Sequence, residues 1–195
     1  MALNVWPQAI QDGYELHEWH HASSILAVDF PNEFRDICEI LAGFRLLRSH
    51  VTAAGGRKSP ISTAIDSEFY RRGWIEHSFN TNVVVDGVTS PVPTHKVDCY
   101  RNGVAFEVEW NNKDPFFDRD LNNFRLLFEL RTVGVGVILT RASHLDRIFR
   151  ELGKYDSYGQ STTHMNKLLP RVQGGGAGGC PVIAIGITER IYVED

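Results

Sequence analysis

A tight β-hairpin is predicted around Asn102-Gly103, because a type I′ turn requires positive φ at both central residues and Asn-Gly meets that requirement at low cost. The surrounding segment, residues 94–114, reads THKVDCYRNGVAFEVEWNNKD. With Asn102 and Gly103 as the turn, Asp98 faces Glu107 across the two strands. The turn therefore determines which side chains become cross-strand neighbours.

Three carboxylates are predicted to share one face of this hairpin. Side chains alternate along a strand, so Glu107 and Glu109 lie on the same face and Asp98 lies across from them. Like charges on neighbouring strands destabilise a sheet, and a bound divalent cation would compensate for this cost. The alternative is an acidic, solvent-facing hairpin, but the clustering of three carboxylates favours the metal site. The apolar side chains of the opposite face are Val104, Phe106, Val108 and Trp110.

Length and composition indicate one domain spanning residues 1–195, with an ordinary hydrophobic fraction of 43%. The amino terminus lacks a basic segment followed by an apolar run, so we expect no signal peptide. The apolar runs are too short to cross a bilayer, so we expect no membrane partner. Cys38, Cys99 and Cys180 are odd in number and widely spaced, which argues against disulfides and zinc and favours a cytoplasmic location.

The net charge of −4 does not by itself indicate a nucleic-acid partner. Charge is unevenly distributed, however, because residues 131–171 contain seven basic and three acidic residues, a net charge of +4. The local basic bias is compatible with a DNA-binding surface on an otherwise acidic protein.

The order of predicted elements indicates an α/β fold in which a central mixed β-sheet is flanked by helices on both faces. Continuous apolar runs predict two strands that are buried on both sides. The glycine tract GGGAGG, within residues 155–179, is interpreted as a flexible connection. Helices are predicted from Pro31 to just before Gly55-Gly56, over 60–72, over 115–131 and over 142–152, and strands over 74–85, 135–140 and 182–187.

Two polar segments are candidates for DNA contact, because amide, hydroxyl and cationic groups bond base edges and phosphates. A plain surface loop would have a similar composition. Glu76, near the start of the strand before the hairpin, is a candidate auxiliary carboxylate, with a surface role as the alternative and Glu68 as a weaker candidate. The two segments contribute Asn111, Asn112 and Lys113, and Ser161, Thr162, Thr163, His164, Asn166 and Lys167.

The segment VDCYRNGVAFEVEWNN resembles the PD-(D/E)xK nuclease signature, and more narrowly the restriction endonucleases of the BglII/BamHI type. The resemblance rests on the spacing from Asp98 to Glu107 and on the Glu-Val-Glu strand. It also covers the run from Gly55 to about Leu130 and the closing block STTHMNKLLP…GGCPVIAIGI. Val97 stands where the wider superfamily often has proline, and Glu109 stands where it has lysine. Glutamate at position 109 fits the BamHI-like branch, but it removes the usual lysine from the mechanism.

This resemblance implies a restriction-endonuclease-like fold, Mg²⁺ as cofactor and hydrolysis of double-stranded DNA by a homodimer. It assigns metal ligation to Asp98, Glu107 and the backbone carbonyl of Val108. Glu109 would orient or deprotonate the attacking water or hold a second metal, and Asn112 matches a base-reading position. By analogy the substrate is a short palindrome with GATC at its centre, and the helix over 115–131 contributes to the dimer interface.

Three rival interpretations remain at this stage, of which a non-nuclease metal-binding domain has no support outside the hairpin. Another PD-(D/E)xK nuclease, for repair or junction resolution, would cut according to DNA structure and would leave no discrete fragments from plasmid DNA. A catalytically silent DNA-binding protein of the same fold is less compatible with the presence of all three carboxylates.

Overall fold

The computed structural model describes residues 3–53, 58–92 and 94–195. The strands are β1 Tyr14–Trp19, β2 Leu46–Leu47, β3 Ile75–His77, β4 Thr81–Val85, β5 Val88–Val92, β6 Val97–Arg101, β7 Val104–Glu109, β8 Val135–Arg141, β9 Val182–Ile187 and β10 Tyr192–Val193. The α-helices are α1 Gln8–Gly13, α2 Ala22–Asp29, α3 Pro31–Gly43, α4 Arg48–Thr52, α5 Pro60–Arg71, α6 Pro115–Glu129, α7 Asp146–Glu151 and α8 Met165–Gln173.

The main sheet has six strands in the order β1-β9-β8-β7-β6-β3. Its three central strands, β7, β8 and β9, are parallel, while β1 and the pair β6 and β3 join antiparallel at the two sides. Every residue of β8 and β9 is buried, as predicted from their continuous apolar runs. A sheet with buried central strands requires covering layers on both faces.

Helices cover both faces of this sheet and form two apolar cores. The first core contains Ile37 of α3 and Ile65 of α5 with Phe106 of β7. The second contains Phe124 of α6 and Leu168 of α8. The predicted α/β class, with a mixed sheet between helical layers, is therefore confirmed.

Local signals define the boundaries of α5. The Ser59 hydroxyl accepts a hydrogen bond from the Ser62 N–H at 2.9 Å, which caps the first turn, and Pro60 occupies the first helical position. Gly73 has φ of +83° just beyond the end of the helix. The residues bounding this helix thus behave as the sequence predicted.

The predicted helix from Pro31 is too long, because α3 ends at Gly43. Leu47 continues the apolar periodicity, but Leu46 and Leu47 leave the helix to pair with Tyr192 and Val193 of β10. Pairing with a strand distant in sequence outweighs the local helical pattern. The predicted stop at Gly55-Gly56 lies outside the described residues.

One further prediction is wrong in part. The single strand over 74–85 is divided, because β3 pairs with β6 in the main sheet and β4 forms a separate hairpin with β5 around Asp86-Gly87. The glycine tract follows α8 and consists of turns, with Gly178 packed against the side chain of Arg125 on α6.

Candidate active site

The β6–β7 hairpin has the predicted geometry. Asn102 and Gly103 have φ of +46° and +91°, and the pairing places Tyr100 opposite Ala105. Ala105 lies in the core beneath α6 and α8, whereas the alternating residues Val104, Phe106, Val108 and Trp110 lie in the other core. By the period of two, Glu107 and Glu109 face the same side as Ala105, towards α6.

Asp98 and Glu107 are connected through the backbone of the two strands. The Asp98 N–H donates to Oε2 of Glu107 at 3.1 Å, and the Val108 N–H donates to Oδ2 of Asp98 at 3.2 Å. Glu107 is only 1% exposed, and its Oε1 has no hydrogen-bond partner among the described residues. Burial, and then the negative charges of Asp120 and Asp98, raise the pKa of Glu107 well above its ordinary value.

Glu109 is held by two donors. The Asn112 side-chain amide donates to its Oε2 at 2.7 Å, and the Arg119 guanidinium donates to its Oε1 at 3.2 Å. Burial, followed by the charge of Asp120, raises the pKa of Glu109 to about 9. Both oxygens of this carboxylate are thus fixed in the metal-free protein.

Sequence reasoning missed Asp120, a fourth carboxylate that α6 contributes to this cluster. Asp120 is completely buried, burial raises its pKa to about 6, and its Oδ2 has no partner within the described part of the chain. Its position was a usable signal, because Asp120 follows Phe117 by three residues and precedes Phe124 by four, on the buried stripe of the helix.

Asp66, another buried carboxylate, lies on α5 and was also missed. It pairs with Lys58 at 2.5 Å, and the Cys99 thiol lies 3.6 Å from its other oxygen. Burial raises the pKa of Asp66, and the charge of Asp98 adds to this effect. Asp66 therefore lies within the electrostatic range of the carboxylates on the hairpin.

The two predicted auxiliary carboxylates lie at the surface. Glu76 is exposed and pairs with Lys96 at 2.9 Å, and Glu68 is half-buried and pairs with Arg71 at 2.6 Å. Among the described residues, no hydrogen bond or ion pair joins either side chain to Glu107 or to the other buried carboxylates.

The segment that follows β7 is hydrogen-bonded to Thr163. The Asn112 N–H donates to the Thr163 hydroxyl at 3.1 Å, and the Thr163 N–H donates to the Asn112 carbonyl at 2.8 Å. Asn111 adopts a left-handed φ of +59° between the strand and α6, and Lys113 is exposed and forms a β-bridge with Thr162. Two candidate DNA-binding segments that are distant in sequence are thus neighbours.

The second candidate segment is partly structural. Thr163 and His164 are buried, and Nδ1 of His164 lies 3.2 Å from the Ser143 hydroxyl. Burial, and then the nearby positive charges, lower the pKa of His164 to about 4. Lys167 is partly buried and pairs with Asp114 at 3.2 Å. The remaining members are Ser161 and Asn166, which are exposed, and Thr162, which is half-buried.

The chemistry of these residues fits a hard divalent cation. Carboxylate and carbonyl oxygens are the ligands that such ions prefer, and the unpartnered Oε1 of Glu107 is a buried acceptor without a donor. Within the described ranges, no three acidic, histidine or cysteine side chains converge in a metal-holding arrangement. Asp98 and Glu107 are neighbouring carboxylates whose oxygens are of the type that such an ion prefers.

The fold and the carboxylate hairpin together define a nuclease of the restriction-endonuclease-like class. The model of one family, described as restriction endonuclease BglII/BglIII, matches residues 14–187, and the chain belongs to that family. It is a type II site-specific deoxyribonuclease, and its substrate is double-stranded DNA. No curated protein matches the chain. No described helix combines the length and apolarity needed to span a membrane.

Proposed function

We propose that the protein hydrolyses both strands of DNA at a short palindromic site, in a reaction that requires Mg²⁺. The proposed site has GATC at its centre, and two copies of the chain bind about a two-fold axis that matches the palindrome. We further propose that residues 1–195 act as one nuclease domain in the cytoplasm, a location that suits three buried, free cysteines.

The observation that carries this proposal is the environment of Glu107. A buried carboxylate with an unpartnered oxygen is unfavourable in the isolated protein, and a cation would satisfy it. Asp98 lies next to it through the hydrogen bond from its own backbone N–H. We assign ligation of Mg²⁺ to Asp98, Glu107 and the carbonyl of Val108.

When bound, Mg²⁺ lowers the pKa of a coordinated water and neutralises charge that develops on the phosphate. Glu109 is assigned to orient the attacking water, because Arg119 holds its Oε1 and the transfer of Asn112 to a base edge frees its Oε2 to accept a hydrogen bond from that water. We assign the auxiliary role to Asp66 rather than Glu76, because Asp66 is buried beside Cys99 whereas Glu76 is exposed.

DNA contact is assigned to the neighbouring segments around residues 111–113 and 161–167. Lys113, Ser161 and Asn166 are exposed and can reach phosphates or base edges. The Asn112 side-chain amide donates a hydrogen bond to Glu109 in the DNA-free protein. To read a base, the amide must break this bond and form a hydrogen bond with a base edge instead. Thr163 is assigned a supporting role, because its polar groups bind the backbone of Asn112.

Plasmid cleavage tests the proposal. Mg²⁺ added to the purified protein and plasmid DNA should give discrete fragments, and Glu107→Ala should abolish cleavage while DNA binding, measured by gel shift, is retained. Glu76→Ala is the matched control, because it removes an exposed carboxylate, and it should cut like the wild type. Random nicking, or full activity of Glu107→Ala, would refute the assignment.

Sequencing the cut ends tests the proposed site and symmetry. A palindromic cleavage pattern around GATC, lost when the central two base pairs are exchanged, supports a two-fold dimer. Asymmetric ends, or cleavage that is indifferent to the exchange, would contradict it. Sedimentation of the protein with a single-site duplex measures whether two copies bind.

A further inference from the structure

Asp120 is the buried polar group of α6 that the proposed reaction does not yet use. It is 0% exposed, and its neighbours on the buried stripe of the helix are Phe117 and Phe124. An ionisable side chain among aromatic residues is costly to bury. Its position therefore calls for specific partners.

One oxygen of Asp120 orients Arg119. The guanidinium approaches Oδ1 of Asp120 through Nε at 2.9 Å and through Nη2 at 2.8 Å. The same Nη2 lies 3.2 Å from Oε1 of Glu109, and the guanidinium also lies over the Phe116 ring at 4.2 Å. Because the guanidinium is planar, contacts through two of its nitrogens determine its direction. Asp120 therefore controls how Arg119 meets Glu109.

The Asp120 carboxyl also shares a hydrogen bond with the carboxyl of Glu109, but its Oδ2 receives none from an N–H or hydroxyl group of the described residues. Oδ2 of Asp120 and Oε1 of Glu107 are both buried and have no hydrogen-bond partner in the described part of the chain. Asp120 is joined through Arg119 to Glu109, which lies two residues from Glu107 on β7. Each of the two unpartnered oxygens therefore needs a hydrogen-bond donor that the described side chains do not supply.

We propose that Asp120 is a positioning residue of the active centre, which holds Glu109 through Arg119 and accepts hydrogen bonds from the water shell of the bound cation. This inference rests on the proposed metal site. Mg²⁺ retains several waters when it binds to proteins, and these waters supply the missing donors.

Asp120→Asn tests this inference in the full chain, with Asp118→Asn as the matched control. Asp118 lies on the same helix, is 60% exposed and pairs with Arg171, so the control makes the same chemical change away from the cluster. Thermal unfolding without metal should show Asp120→Asn at least as stable as the wild type, because an amide replaces a buried carboxylate. A merely structural carboxylate would instead lower the unfolding temperature.

Binding of Mn²⁺ to the DNA-free protein, followed by the EPR signal of the free ion, provides a readout independent of activity. Outer-shell substitutions weaken metal affinity or activity about 10- to 100-fold, so we expect at least about a tenfold loss of Mn²⁺ affinity for Asp120→Asn. The single-turnover cleavage rate should fall by a similar factor, while the affinity for DNA remains unchanged. Asp118→Asn should match the wild type in all measurements.

Wild-type Mn²⁺ affinity in Asp120→Asn overturns the inference, and so does a lower unfolding temperature in the absence of metal. If Asp120→Asn does not fold, Arg119→Lys tests the same linkage, since lysine cannot make the two-nitrogen contact. It should cleave more slowly with unchanged DNA affinity, and a wild-type rate would overturn the inference. If Asp120→Asn has the Mn²⁺ affinity and cleavage rate of the wild type while Glu107→Ala is inactive, only the role of Asp120 is refuted. If the wild type binds no Mn²⁺, the metal site and this inference are refuted together.

Discussion

Replacing Glu107 by glutamine should stabilise the metal-free protein. The amide has the same shape, and its oxygen can still accept the hydrogen bond from the Asp98 N–H. The substitution removes a carboxylate that is 1% exposed and has an unpartnered oxygen. A buried polar atom without a partner costs about 1–3 kcal/mol, and a charged one costs more. We therefore expect the free energy of unfolding to rise by about 2 kcal/mol near neutral pH.

The gain should depend on pH in a defined direction. Below the ordinary pKa of 4.5, the carboxyl is protonated in both states, and the two proteins should be equally stable. Above it, the unfolded chain ionises first because burial raises the pKa of folded Glu107, so the wild type loses stability as the pH rises until the raised pKa is reached. The advantage of the variant therefore appears as pH rises and is absent in acid.

Urea unfolding at a series of pH values, in buffer with chelator, measures this difference. A gain of about 2 kcal/mol corresponds to a rise of about 4–8 °C in the thermal midpoint of a chain of this length. Glu76→Gln is the control, since its exposed pair with Lys96 contributes about 0–1 kcal/mol. A less stable Glu107→Gln, or a gain of equal size at every pH, would refute the reasoning.

Three further substitutions test the framework around the site, each by urea unfolding. Thr163→Val removes a hydroxyl that donates to the Glu109 carbonyl and accepts from the Asn112 N–H. The free energy of unfolding should fall by about 1–3 kcal/mol, and an unchanged value would show that these bonds are dispensable. Arg141→Met removes a guanidinium that holds three backbone carbonyls, and a loss of about 3–5 kcal/mol is expected, whereas a neutral result would contradict a structural role. Gly136→Ala places a methyl group 2.3 Å from Phe124 and should cost about 1–3 kcal/mol, while Gly43→Ala meets no atom within 4 Å and should not destabilise; equal effects would refute the packing argument.

Local chemistry determined much of the fold. The Asn102-Gly103 turn set the register of β6 and β7, since positive φ at both residues leaves few other conformations. The apolar runs that became β8 and β9 were also predictable, because strands buried on both faces need no alternation. The turn also predicted that Asp98, Glu107 and Glu109 are neighbours, because all three belong to the one hairpin.

Only the tertiary structure decided which other side chains join this hairpin. Asp66 lies on α5 and Asp120 lies on α6. No spacing in the sequence predicts that these two helices pack against the hairpin. Leu46 illustrates the same limit, since its pairing with Tyr192 depends on a strand far along the chain. Periodicity and turn chemistry act over a few residues, whereas burial, unpartnered oxygens and pKa shifts arise from groups that only the packed chain brings together.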